Sequence, residues 1–518
     1  MDAHHSAVAA LARRIACFHA RKTPFRIYHG STNSTRSTTF SEDTSIDTSG
    51  LKNVISVDTQ TRTCLVESNV PMDMLVAATL PFRLLPPVVP EFPGITVGGA
   101  FAGTGGESSS FRFGFFDQCV NWVEVILASG EIVTASPVEN RDLFYGSAAT
   151  FGTIGVATLF ELRLIPARDF VQLTYHPIHA FSEAQQAFAD LTVSPNVDFV
   201  DGIMFSKTEG VVISGVLVDL GHYEQGQAPP IVSFSRRWDQ WFYLHAQDKL
   251  TIYTHPEVPY RELAPVTEYL FRYDRGAFWT GAFVFDWFGV PFNRLTRYVL
   301  DWLMSTRILY HGLHASKLGA GYIIQDLCLP QETAAEFFDW MNSEYGLYPL
   351  WLCPIKQNER VSMNPHTPAT TNCGETSGEP LLNIGVWAPC PSGDRIACNR
   401  RLEAKLKSLR GMKWLYADTF YTKEEFWCIY DLKWYSELRK KYGAESLPDV
   451  YEKVTTIVEH DRQNIGVLAS ITGILTGDSS FQSLWEAVWS VWPLLTMIHS
   501  GIAAEGFVLD KKEESFGS

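Results

Sequence analysis

The sequence predicts an α+β protein of more than one domain. Three observations carry this: β-branched runs that read as hairpins, helices interspersed among them without regular βαβ alternation, and 518 residues, more than one ordinary core holds at roughly 150 residues per domain. With 46% hydrophobic residues the chain is globular, not disordered or fibrous. A net charge of −15 argues against a nucleic-acid partner, because a polyanion is repelled unless one face is strongly basic, and the sequence contains no basic run.

The chain opens on AVAALARRIACF (7–18), whose arginine pair interrupts the apolar run; it reads as a short amphipathic helix, not as a cleavable signal peptide. LKNVISVDTQTRTCLVESNV (51–70) is two β-branched runs around a polar turn, a hairpin signal, and MDMLVAATL (72–80) is helical. WVEVILASGEIVTA (122–135) predicts a second hairpin around Ser129-Gly130, and FGTIGVATLFELRLIPA (151–167) a glycine turn followed by a strand. From about residue 170 the composition shifts toward Trp, Tyr and Phe, with longer amphipathic segments such as AEFFDWMNSEYG (335–346). The expected division is 1–168, 169–410, 411–465 and 466–518, with 357–380 an exposed polar loop. Residues 487–504 lack Asp, Glu, Lys and Arg but fall short of the ~20 residues that span a bilayer and contain Pro493. They read either as a buried helix or, across 485–504, as a peripheral membrane contact through Trp485, Trp489 and Trp492. The nine cysteines are odd in number and scattered without a CxxC pair, which predicts reduced thiols and neither a disulfide framework nor a metal site. The expected location is cytoplasmic or peripherally membrane-associated.

The run TVGGAFAGTGGESSS (96–110) offers five glycines and five hydroxyl side chains and almost nothing for a core. Without Cβ atoms, Gly98, Gly99, Gly103, Gly105 and Gly106 let the backbone approach a bulky ligand. Exposed N–H groups and the hydroxyls of Thr104, Ser108 and Ser109 suit phosphate oxygens better than a metal. YHGSTNSTR (28–36) offers a second loop of the same chemistry, and two such loops suggest a grip on one diphosphate. Neither contains GK[ST], and no strand-to-helix GxGxxG is present, so a P-loop and a Rossmann cradle are excluded.

These two loops, with PEFPGI (90–95) before the second and ENRDLFYGSAATFGTIGVATLFELRLIPA (139–167) after it, resemble the FAD-binding domain of the vanillyl-alcohol oxidase, or PCMH-type, flavoproteins. RGAFW (275–279), IQDLCLP (324–330), YPLWLCP (348–354) and LYADTFYTKEEFW (415–427) narrow the resemblance to the Δ24-sterol reductase family. It implies a PCMH-type FAD-binding domain in 1–168 and an α+β substrate cap in 169–410, with 411–465 packing back near the flavin. It also implies that FAD contacts Gly30, Ser31, Thr32, Asn33 and Ser34 on one side. On the other it contacts Thr96, Val97, Gly98, Gly99, Gly103, Thr104, Gly105, Gly106, Glu107, Ser108 and Ser109, with Ile154, Gly155 and Val156 beside the cofactor. Asn33 stands where the superfamily often attaches flavin through histidine, which implies non-covalent FAD, with nearby His29 as the alternative attachment point. Members usually carry an N-terminal hydrophobic anchor, and this sequence starts almost at the flavin domain, so anchoring at the endoplasmic reticulum is not expected. Tyr273 and Asp274 stand where the family has His and Thr.

In the family reaction NADPH reduces FAD, and the reduced flavin N5 delivers hydride to a carbon–carbon double bond. An isolated alkene is a poor electrophile, so a proton donor is needed near the flavin. Tyr416 and Asp418 would share one face of a regular strand; Arg275 and Asp326 read as cofactor-phosphate contacts or as structural ionic groups; Lys356 follows a family motif. FWTGAFVFDWFGVPF (278–292) reads as the wall of a large apolar pocket for a sterol, terpenoid or polyketide, or as an aromatic core. Two further functions stay open: an FAD oxidase of a specialised metabolite using oxygen, and a flavin pocket serving redox-neutral cyclisation or binding.

Overall fold

The computed structural model describes residues 1–30, 35, 40–224, 226–252, 260–316, 321–357, 362–366 and 380–456. Ser31, Thr32, Asn33 and Ser34, most of the polar loop 357–380, and the apolar segment 487–504 lie outside the described residues.

Two antiparallel sheets organise the molecule, as the lack of βαβ alternation predicts. The first has five strands in the order Val54–Asp58, Thr63–Glu67, Gly155–Arg163, Val120–Leu127, Ile132–Ala135. Both predicted hairpins are in it. In the first turn the Asp58 carboxylate accepts the backbone N–H groups of Gln60 (2.7 Å) and Thr61 (3.1 Å), which closes the turn. The second turn places Gly130 at φ +89, where a side chain would be strained and its Cβ would stand 2.7 Å from the Ala12 carbonyl oxygen of the N-terminal helix.

That helix, Asp2–Ala20, buries Val8, Ala12, Ile15 and Phe18 along one stripe, as its amphipathic sequence predicts. His4 anchors it. The fully buried imidazole bonds Glu67 Oε1 through Nδ1 (2.8 Å) and Glu124 Oε1 through Nε2 (3.0 Å), joining two strands of the sheet.

The second sheet has eight strands in the order Tyr260–Pro265, Phe170–Ile178, Gly210–Val218, Phe199–Met204, Leu350–Ile355, Leu381–Pro389, Tyr322–Pro330, Met412–Lys413. The helix Gln331–Glu344, which includes most of AEFFDWMNSEYG, packs Ala334, Phe337, Phe338 and Met341 into the same hydrophobic cluster as Leu327, Leu352 and Ile384. No helix among the described residues is long and apolar enough to cross a membrane.

One local expectation is corrected. The alternation in WLYADTFY is not a strand: strand pairing ends at Lys413, 415–417 turn, and Thr419 makes only an isolated bridge to Thr455, so Tyr416 and Asp418 do not share a strand face. The turn is held from outside, by Trp414 Nε1 donating to the Thr104 carbonyl (2.7 Å) of the glycine run.

Replacing His4 by Ala leaves two carboxylates without their shared partner in a buried setting. The expected loss is about 3 kcal/mol, read as a lower urea midpoint, with His4→Asn recovering part of it.

Candidate active site

The glycine run folds tightly after Ile95. Thr96 caps the short helix Val97–Ala102, its Oγ1 accepting the Gly99 N–H (3.1 Å). The N–H groups of Gly98 and Gly105 donate to the carbonyls of Ser68 and Ala100, each at 2.7 Å. A Cβ on Gly98 would stand 3.0 Å from the Ser68 oxygen, and one on Gly105 only 2.9 Å from Ala100 Cβ. Larger residues are therefore excluded by neighbouring atoms, and the run presents backbone to its open side.

That side is a cavity of about 310 Å³. Thr96, Gly98, Gly99, Gly103, Thr104, Gly105 and Gly106 line it, together with Gly155 and Ala157 of the five-stranded sheet and with Ser68 and Asn69, which follow its strand Thr63–Glu67. The eight-stranded sheet and its connections add Phe278, Tyr310, Asp326, Trp351, Asn383, Trp387, Trp414 and Tyr416. Three residues of the wall, Thr104 (φ +65), Phe151 (+54) and Phe278 (+62), lie in left-handed conformations. Phe278 stacks on Trp387 at 4.3 Å and on Tyr273 at 4.1 Å between ring centroids. Of the aromatic stretch 278–292, Phe278 faces the cavity while Trp279 and Phe285 are core.

One carboxyl is built into this aromatic wall. Asp326 Oδ2 accepts the Tyr416 hydroxyl (2.7 Å), and Oδ1 accepts Asn383 Nδ2 (2.7 Å). Burial pushes the Asp326 carboxyl up to about 6, the two donors offsetting part of that rise. Burial and the neighbouring Asp326 push the Tyr416 phenol far above its ordinary range, so it stays a hydrogen-bond donor. A second carboxyl, Glu91, also lines the cavity, with its buried Oε1 lacking a partner among the described residues. Burial, then the charge of Glu107, raise it well above the usual carboxylate range despite the opposing Arg272.

The sequence-predicted residues thus divide. Asp326 and Tyr416 meet on the wall. Asp418 does not reach it: its carboxylate is taken by Arg395 (2.5 Å) and the Thr456 hydroxyl (3.1 Å). Arg275 forms a nearly buried ion pair with Asp301 (2.5 Å) and donates to the carbonyls of Phe234 (2.9 Å) and Asp239 (3.1 Å). Lys356 is solvent-exposed, and its backbone N–H donates to the Ser110 carbonyl (2.9 Å). At the start of Gly155–Arg163, Gly155 faces the cavity, whereas Val156 and the preceding Ile154 belong to the hydrophobic clusters; Val97 is likewise core.

Glu107, Ser108 and Ser109 are buried outside the cavity wall. The Glu107 carboxyl accepts both serine hydroxyls, Ser108 at 2.6 Å, and Ser108 Oγ also meets the Tyr269 hydroxyl at 3.2 Å. The Ser108 carbonyl accepts the Val200 N–H (2.8 Å). The end of the glycine run is therefore a strut against the eight-stranded sheet. Beside it Arg272, 2% exposed, donates to Asp201 (2.7 Å) and lies 4.1 Å from the Tyr269 ring centroid. Tyr273 and Trp351 donate to the same Asp201 oxygen at 2.8 and 3.1 Å.

Sequence reasoning missed Glu91, Tyr310, Asn383 and Trp387 as wall residues. Glu91 sits inside a motif already singled out, PEFPG; Asn383 and Trp387 lie on a strand whose facing only the sheet pairing reveals.

The residues present fit a flavin dinucleotide. A backbone-lined trough without side-chain bulk suits a diphosphate. His29 Nδ1, Ser68 Oγ, Asn69 Oδ1 and Glu91 Oε1 are buried around the cavity without a partner among the described residues, polar groups that a ligand would satisfy. Burial, with Lys453 adding to it, lowers His29 to about 4, so its imidazole is neutral near pH 7.

Residues 5–136 match the family model described as FAD binding domain. The Delta(24)-sterol reductase of Rattus norvegicus is 30% identical over 420 residues, covering 79% of this chain and 77% of that protein. The Arabidopsis thaliana Delta(24)-sterol reductase is 29% identical over 432 residues, covering 77% and 74%. Cytokinin dehydrogenase 9 of Oryza sativa subsp. japonica is similar over a shorter stretch, 28% over 137 residues or 26% of each chain. With the cavity lined by the glycine run of that matched FAD-binding region, these likenesses place the chain in the Delta(24)-sterol reductase family, as an FAD-dependent oxidoreductase.

Proposed function

We propose that the protein reduces a carbon–carbon double bond of a hydrophobic substrate, the Δ24 bond of a sterol or a comparable terpenoid alkene, with NADPH as electron donor. The observation that carries this reading is the acid built into an otherwise aromatic wall: Asp326, held by Tyr416 and Asn383 in the cavity that the glycine run lines. When bound, FAD supplies the two-electron chemistry, taking hydride from the nicotinamide and giving it up to carbon.

The chain's own residues supply binding, orientation and the proton. Thr96, Gly98, Gly99 and Gly103 to Gly106 hold the cofactor with Ser68 and Asn69, and Gly30 belongs to the opposing loop. The flavin is held without a covalent bond, so acid precipitation releases it. Phe278, Trp351, Trp387 and Tyr310 exclude water and present ring faces and edges to an apolar substrate. Asp326 donates its carboxyl proton to one alkene carbon while the other gains hydride. The carboxylate left behind is stabilised by the donors already in place, Tyr416 Oη and Asn383 Nδ2. Glu91, kept toward its neutral form, offers an O–H to a polar group of the bound ligand.

Three outcomes test this reading. Anaerobic NADPH should bleach the oxidised flavin band, and a subsequent Δ24-sterol should restore it; a flavin left oxidised by NADPH overturns the reading and points to an oxidase.

Asp326→Asn should lower kcat by about 100-fold or more, the usual scale of general-acid catalysis, and abolish the fall in rate expected as pH rises through about 6. Because the folded-state value lies above the unfolded one, this carboxyl's contribution to stability is fully present below pH ~4 and lost as pH rises through about 6. At pH 8 the Asn variant, which keeps an acceptor for Asn383, should therefore melt at or above the temperature of the parent.

Gly105→Ala must displace Ala100 or the loop itself. The purified variant should retain the parent circular dichroism yet carry less than half of the flavin.

A further inference from the structure

Cys390 directly follows the strand that carries Asn383 and Trp387, and Cys398 lies in the first turns of the helix Arg395–Ser408. Their sulfurs are 2.9 Å apart, with the Cys390 thiol donating. Even carbon atoms in non-bonded contact sit about 3.5–4.0 Å apart. Ser392, on an exposed turn, covers the pair, its Oγ 3.2 Å from Cys398 Sγ and 3.6 Å from Cys390 Sγ. Six other cysteines fall among the described residues, Cys17 and Cys428 exposed and the other four buried.

We propose that Cys390 and Cys398 form an oxidisable dithiol, a modification site that closes to an intramolecular disulfide in response to hydrogen peroxide. The two members are electronically unequal. Burial works against ionisation of Cys398, but hydrogen bonds from Cys390, Ser392 and Arg401 outweigh it and hold that thiol below its ordinary range. Burial, then the bond given to Cys398, raise Cys390. Cys398 is the nucleophile and Cys390 the resolving thiol.

The steps balance without a further reactant. The Cys398 thiolate attacks one peroxide oxygen; the S–O bond forms, the O–O bond breaks, and the departing hydroxide takes the thiol's proton to become water. Cys390 then loses its proton and attacks the sulfenic sulfur; the S–S bond forms, the S–O bond breaks, and hydroxide leaves with that proton as a second water. Two thiols are oxidised and one peroxide is reduced. A small oxidant is required because Cys398 is 0% and Cys390 only 8% exposed.

The bridge would join structures that touch the active site. Trp387 precedes Cys390 by three residues. Asn399 follows Cys398 and accepts a hydrogen bond from Gln325 Nε2 (2.7 Å), the neighbour of Asp326. Arg395, in the same helix, holds Asp418 next to the Tyr416 turn.

The full chain is treated with hydrogen peroxide, blocked by alkylation, digested without reductant and mapped. The expected product is a peptide linked between Cys390 and Cys398, lighter by two hydrogens and released by dithiothreitol, as the dominant form of both residues. In Cys390→Ser the resolving thiol is missing, and dimedone should label Cys398. Recovery of both residues fully alkylated, oxidation of either without a link in the wild type, or a link from either to Cys17 or Cys428 overturns the proposal. Because the wild-type map needs neither bound flavin nor turnover, its outcome is separate from that of the reductase assay.

Discussion

A buried cation governs how the two sheets meet. Arg272 is almost wholly excluded from water, and the carboxyls of Asp201, Glu91 and Glu107 act on it or on one another within the same low-dielectric region. One guanidinium cannot balance three carboxylates there. Asp201, held by Arg272, Tyr273 and Trp351, takes the direct ion pair, while burial pushes Glu91 and Glu107 upward. From this follows the docking of the glycine run: a carboxyl at 107 that collects two serine hydroxyls can be packed against the eight-stranded sheet, with the adjoining backbone turned to the cavity. Ser108 and Ser109, which by composition suit phosphate oxygens, are used structurally instead, and fix the end of the segment whose backbone lines the cavity.

The cavity accordingly joins two chemistries of different origin. The five-stranded sheet contributes backbone and small side chains, and the second sheet contributes rings and Asp326.

Much of the fold was legible because its signals are local. The two hairpins, the N-terminal helix and the helix Gln331–Glu344 follow from turn chemistry and apolar periodicity alone. That the glycine run exposes backbone was legible, and it lines the cavity, but not the point at which it leaves the wall: Ser108 and Ser109 are recruited by Glu107 and by Tyr269, 161 residues from Ser108. Of the two readings of Arg275, the structure shows the structural ion pair; its partners, on a loop 36 to 41 residues upstream and on Asp301, lie too far along the chain for local spacing to choose between them. The alternation around Tyr416 imitated a strand, yet no neighbouring strand pairs beyond Lys413, and an indole bond to Thr104, 310 residues away, fixes the turn instead. Only Asp326 and Tyr416 survived as neighbours, one from a paired strand and the other from this turn.

The left-handed residues on the cavity wall bear on how the protein can be improved or can drift. Each such conformation costs about 1–3 kcal/mol, and glycine would relieve it at Thr104, Phe151 or Phe278. Relief would also delete the ring or hydroxyl that the strain aims into the cavity. Selection for thermal robustness alone would thus tend to erode the binding surface, and ancestral or laboratory lineages freed from catalysis should accumulate glycine first at these positions.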